Sequence, residues 1–262
     1  STRLNERILT EDTRALTEFY RHKGYPEATV HFTVSEEGND DNVSILVKVN
    51  EGPRYKVAFS GNIAFSDRAL KKDLVIFSKG IQNGLGVWNS ARNIKTRYRD
   101  AGYLKADVST DENVRETESG MEKQLVFRVK EGRQTVVRSV KIHGNTCLSD
   151  KQIEKQVLTR PLSWINPGAY VPRVLEADIR AIRRLYREKG FSHVDIEDKT
   201  RFSDDGSRAK VVIDIKEHDR VRISSVTFKG LTAVTRERAL QSLTLSPEAV
   251  FEPQSVPGDR TR

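Results

Sequence analysis

The side chains of this chain that could do chemistry are five histidines, adjacent carboxylates, one cysteine, a glycine pair and a run of arginines. A zinc site needs His or Cys ligands at short, regular spacings. His22, His31, His143, His193 and His218 stand singly, and no Cys/His spacing suits a metal. Asp40-Asp41, Asp111-Glu112 and Asp204-Asp205 could form acid–base couples. Each is instead expected in a hairpin loop, as solvated turn residues. Gly84-Leu85-Gly86 lacks the lysine that a phosphate-binding loop would place after it. Cys147 follows a Gly-Asn turn and reads as structural; as the sole cysteine it excludes an internal disulfide. No nucleophile, base and oxyanion donor converge in the sequence. No enzyme activity, metal or cofactor is expected.

The arginines carry more information. Arg180, Arg183, Arg184 and Arg187 lie with Lys189 on one predicted helix, and Arg92, Lys95, Arg97 and Arg99 recur on the same helix one unit earlier. Cations suit the last turns of a helix, where the backbone dipole is negative, so a plain solvated face is one reading. An acidic partner or anionic lipid head groups are the other. Nucleic acid is the weakest option, because no aromatic residues are interleaved for base stacking. A net charge of +8 permits all of these and proves none. Trp88 and Trp164 fall near inter-helix loops, where packing is expected and a partner contact is the alternative.

These residues sit in a chain that repeats itself. Tyr20-Arg-His-Lys-Gly24-Tyr25 returns 78 residues later as Tyr98-Arg-Asp-Ala-Gly102-Tyr103, and 88 residues after that as Tyr186-Arg-Glu-Lys-Gly190-Phe191. Gly61-Asn62-Ile-Ala-Phe65-Ser66-Asp67 matches Gly144-Asn145-Thr-Cys-Leu148-Ser149-Asp150, with a weaker copy from Gly230 to Arg236. Glu51-Gly52 and Glu131-Gly132 close two units, and Glu217-His218 stands at the matching place in a third. A period of this length means an array of small domains. The chain begins at Ser1, inside one repeat, and stops inside another. It reads as a piece of a longer protein, and no weight attaches to missing targeting signals.

Within a unit, Tyr55, Val57 and Phe59 alternate as a half-buried strand, which Gly61-Asn62 ends. Ser66 can cap a short helix whose apolar stripe is Ala69, Leu70, Leu74 and Val75. Ser149 and Gln152 form a capping box in the next unit. A longer helix follows. Val87, Ala91, Ile94 and Tyr98 align without gaps on Leu175, Ile179, Ile182 and Tyr186, one helical face in each case. Gly24, Gly102 and Gly190 stop these helices. Two alternating strands then form a hairpin, seen as Ala28 to Val34 and Val43 to Val49, with a polar loop from Ser35 to Asn42 between them. The order is strand, helix, helix, strand, strand, with one sheet face under the helices and at least one open edge.

This order, with its G-N-x-x-F/L-S-D and Y-x-x-x-G-Y/F motifs, resembles the POTRA (polypeptide-transport-associated) domain of BamA-like outer-membrane protein assembly factors. The resemblance implies an α+β fold of tandem domains, each with a three-stranded mixed sheet covered by two helices on one face. Residues 54–132 and 133–218 correspond to complete domains, 1–53 to a second half, and 219–262 to a first half and tail. The implied setting is the periplasm, tethered to the outer membrane through a C-terminal β-barrel. Implied partners are unfolded outer-membrane proteins, bound by β-augmentation, and assembly lipoproteins; contact with the membrane surface fits the basic face. In the family the exposed edge is the first hairpin strand. Carried over, it comprises Ala106, Asp107, Val108, Ser109 and Thr110, and Ser192, His193, Val194, Asp195, Ile196 and Glu197. Arg180, Arg183, Arg184 and Arg187 form the candidate basic partner face. A related translocation-assembly or two-partner secretion scaffold, and a basic nucleic-acid-binding module, remain as alternatives.

Overall fold

Alternating apolar residues build each sheet, and an apolar helical stripe builds each cover. The computed structural model describes residues 6–36, 43–80, 84–118, 120–241, 243 and 248–251. Residues 1–133 and 134–262 form two units. The first contains α1 (Glu6–His22), β1 (Thr29–Glu36), β2 (Val43–Asn50), β3 (Arg54–Ser60), α2 (Asp67–Leu70), a 3-10 turn (Lys71–Asp73), α3 (Ile76–Lys79), α4 (Leu85–Asp100), β4 (Asp107–Thr117) and β5 (Gly120–Lys130). The second contains β6 (Val136–His143), α5 (Asp150–Glu154), α6 (Pro172–Glu188), β7 (Val194–Phe202), β8 (Arg208–Glu217) and α7 (Arg236–Gln241).

The last hairpin strand is the sheet centre in both complete repeats. The orders are β3-β5-β4 and β6-β8-β7, with the first strand parallel and the hairpin partner antiparallel to the centre. Leu125, Phe127 and Val129 occupy one face of β5 and share a core with Leu70, Ile76, Val87, Ile94 and Tyr98. Ala209, Val211, Ile213 and Ile215 are buried along β8, as are Leu175, Ile179, Ile182 and Tyr186 of α6. In the amino-terminal half repeat, β1 and β2 form a two-stranded sheet among the described residues. There Val43, Ile45, Val47 and Val49 remain 37–44% exposed.

Ser66 caps α2, and Ser149 and Gln152 form the capping box of α5. The stripe expected from Ala69 to Val75 is not one helix. Asn93 of α4 donates to the Asp73 carbonyl at 3.0 Å, and the Val75 amide donates to Ser90 Oγ at 2.9 Å. These bonds draw the chain out of helical geometry, and Val75 becomes the residue before α3. Asp111 and Glu112 lie within β4, not in a loop. Cross-strand charge pairing explains this: Asp111 pairs with Arg128, and Glu112 with Lys123 at 2.6 Å. Asp204 and Asp205 do form the turn between β7 and β8. Asp40 and Asp41 lie outside the described residues.

Residues 221–229 form no strand. Residues 221–223 instead meet 248–251, with Phe251 donating to the Val221 carbonyl and Ile223 to the Ala249 carbonyl, at 2.8 and 2.9 Å. The helix stops also bond forward. Gly24 accepts from the Tyr55 amide and Gly190 from the Val221 amide, both at 2.8 Å.

Candidate partner-binding edges

The repeated motifs meet at one point in each complete repeat. Tyr98 at the end of α4 donates to Glu131, just past β5, which also accepts from the Ala64 amide at 2.7 Å. Tyr186 donates to Glu217, which also accepts from the Cys147 amide at 3.0 Å and from Thr146. Asn62 and Asn145 span their turns, donating to the Phe65 and Leu148 carbonyls at 3.0 and 2.9 Å. A Cβ on Gly61 or Gly144 would collide with the carbonyl oxygen of Val129 or Ile215, so both turns close directly over the central strand. Helix end, strand end and turn are thus fastened together, which fixes the hairpin and leaves β4 and β7 at the sheet margins.

The candidate edge residues fall at the start of those strands. Asp107, Val108, Ser109 and Thr110 pair with Lys130, Val129, Arg128 and Phe127 of β5. Val194, Asp195, Ile196 and Glu197 pair with Glu217, Lys216, Ile215 and Asp214 of β8. Ala106, Ser192 and His193 precede the strands, and Ala106 is buried. Among the described residues no strand pairs with β4 or β7 on the outer side. The edges run on to Thr117 and Phe202, 11 and 9 residues in all. The sequence reading missed these outer halves; in β4, Asp-Glu-Asn-Val-Arg-Glu-Thr has Val114 as its single apolar residue and no alternation. The cross-strand charge pattern was the available signal.

Each strand carries, at its first or second residue, an aspartate held below its ordinary pKa by a neighbouring basic side chain. Lys95 of α4 bonds Asp107 at 2.7 Å, and His218 bonds Asp195 at 2.9 Å. These contacts pin the strand starts to the helix or to the hairpin end.

Arg180, Arg183, Arg184 and Arg187 are exposed on α6 and line a depression of about 500 Å³. Arg180 lies 3.9 Å from Glu176. Neither tryptophan packs into a core. Trp88 is 58% exposed beneath the Arg92 guanidinium, and Trp164 is 96% exposed. Two buried positions also escaped the sequence reading. Ser90 and Asp178 occupy equivalent places on α4 and α6 and accept loop amides, Asp178 from Leu158 and Thr159 at 2.8 Å each. Among the described residues, no helix is long and apolar enough to cross a membrane, and no cluster of His, Cys, Asp and Glu could hold a metal ion.

Three stretches, residues 2–52, 55–132 and 135–218, match the POTRA family, described as surface antigen variable number repeat. The outer membrane protein assembly factor BamA of Nitratidesulfovibrio vulgaris is 23% identical over 261 residues, 95% of this chain and 32% of that protein. BamA of Neorickettsia risticii is 29% identical over 198 residues, 70% of this chain and 26% of that protein. The chain spans a quarter to a third of the length of the curated relatives it matches. A solved structure of POTRA domains 3–5 of BamA from Haemophilus influenzae is 18% identical, with a TM-score of 0.41, covering 76% of this chain and 79% of that one. The family match takes in most of the residues and carries the repeated turn, helix-stop and strand-end motifs described above: the chain belongs to the POTRA family.

Proposed function

We propose that this chain is the periplasmic scaffold region of an outer-membrane β-barrel assembly factor, and that it holds unfolded client proteins by adding their strands to β4 and β7. The open outer side of both strands is the observation that supports this most. A client in extended form would complete the backbone hydrogen bonds of the edge. Backbone pairing is indifferent to most side chains, so many clients can share one site. Several weak edges along an array would hold one client by avidity. The arginine face of α6 suits a second partner with carboxylates or phosphates, an assembly lipoprotein in this reading, and a carboxy-terminal barrel would anchor the array.

Proline substitution tests the edge. Along a strand, successive N–H groups point alternately toward and away from the neighbouring strand. Val108→Pro and Ser109→Pro must therefore differ. One removes a bond to β5 and destabilises the domain; the other leaves the fold intact and removes an outward donor. The fold-intact variant should bind an unfolded outer-membrane protein more weakly than the parent chain. Equal affinity would remove β4 from the proposal.

A further inference from the structure

The two complete repeats differ between their helices. Ser66 to Val87 spans 21 residues, and Ser149 to Leu175 spans 26, so the second carries five more. The longer segment crosses the outer side of β6. Val137 bonds to both Gly168 and Leu162, at 2.7 and 3.0 Å, and Tyr170 donates to the Thr135 carbonyl at 2.9 Å. Past Val137 the strand shifts register, as edge bulges do, and the segment departs from it.

A groove of about 830 Å³ opens there, floored by Val140 and Ile142 of β6 and walled by α5 and the 157–166 loop. Leu162 and Ile165, which line it, are 57 and 74% exposed, and their loop neighbours Leu158 and Trp164, outside the lining itself, are 71 and 96% exposed. Four exposed large apolar residues within one eight-residue loop are the kind of feature that marks an interaction surface. The charge of the groove is one-sided, since Lys151, Lys155 and Arg160 line it against the single carboxylate of Glu154.

We propose that the Val140–His143 edge of β6 and the Trp164 loop form a further docking groove, for an extended apolar segment flanked by acidic residues. Backbone pairing would continue along β6 where the loop leaves it. Alternate apolar side chains would meet Val140, Ile142 and Ile165, and the flanking carboxylates would meet Lys151, Lys155 and Arg160. The inference rests on the client-binding reading but uses a different strand from β4 or β7, and it adds a charge preference that backbone pairing alone does not supply.

Trp164 is its own reporter. With Trp88→Phe introduced, Trp164 is the only indole in the chain. Short synthetic peptides of alternating valine and threonine, flanked by glutamates or by lysines, are titrated against this variant. The glutamate-flanked peptide should move Trp164 emission to shorter wavelength and bind at least about tenfold more tightly than its lysine-flanked twin. Lys151→Glu with Lys155→Glu should reverse that preference, and circular dichroism should be unchanged. The fold-intact β4 proline variant should leave the Trp164 response as it was. A silent Trp164 overturns the groove, whether or not calorimetry detects peptide binding elsewhere. Equal affinity for both peptides overturns it as well. An emission shift that follows protein concentration without peptide assigns the patch to self-association and overturns it too. Failure to bind an unfolded client while the Trp164 response persists would overturn the client reading and leave the groove as a peptide site.

Discussion

Tyr98 donates its phenolic proton to Glu131 at 2.8 Å, and Tyr186 repeats the bond to Glu217 at 2.7 Å. Burial, and then the carboxylate beside it, raises each phenol well above its ordinary pKa, so both stay protonated donors. The two markers that recur in the sequence are therefore partners in space. Tyr98→Phe or Tyr186→Phe keeps the buried ring and removes the bond. Each should lower the stability of its own domain by about 1–2 kcal/mol, since a hydrogen bond to a charged acceptor is lost. Urea melts of the single variants check this. An unchanged midpoint would show that the pairing is incidental.

Gly144 cannot carry a side chain without displacing Ile215. Gly144→Ala should cost more than about 2 kcal/mol, because a close backbone approach adds to a left-handed conformation. Gly206 also has positive φ but open space around it. Gly206→Ala should cost about 1 kcal/mol. Thermal unfolding of the pair separates steric contact from conformational strain.

Acid should loosen the second unit through Glu217. Burial opposes its ionisation, but bonds from Thr146, Tyr186 and Cys147 outweigh that and hold the carboxyl below its ordinary value. The unfolded chain then binds this proton more readily than the folded one. The contribution is complete above the ordinary value of 4.5 and is lost as pH falls through the lowered one. Glu217→Gln should reduce stability at neutral pH and flatten the decline on acidification. Melting temperatures between neutral pH and pH 3 test the sign.

The arginine face should be separable from the fold. Arg183 and Arg187 are exposed, so Arg183→Glu with Arg187→Glu should shift stability by less than about 0.5 kcal/mol per site. Binding of polyglutamate, and its sensitivity to salt, should fall sharply in calorimetric titration. Undiminished binding would return these residues to a plain solvated surface.

Most of the architecture could be read from periodicity. The α4 and α6 stripes were legible because Val87, Ile94 and Tyr98, and their counterparts, follow helical spacing and are buried. The capping serines and helix-stopping glycines were legible because local backbone chemistry demands them. The extent of β4 was not, because its outer half is solvated on both faces and carries charge pairs in place of apolar alternation. The break after α2 was not, because side chains of α4, distant in sequence, impose it. The candidate edge was partly legible: its start follows from the helix stop, while its length depends on the cross-strand partners. The exposure of Trp164 could not be settled, since an apolar residue in a loop reads the same whether it packs inward or waits for a partner.

The bonds from Tyr55 to Gly24 and from Val221 to Gly190 bear on how such a chain carries load. Each joins a helix stop to the segment that starts the following repeat, across roughly 30 intervening residues. Tension along the chain would draw on these crossings before it straightened the covalent link between them. Pulled by its ends, each of these two stretches should give way in a discrete step rather than pay out as an entropic spring.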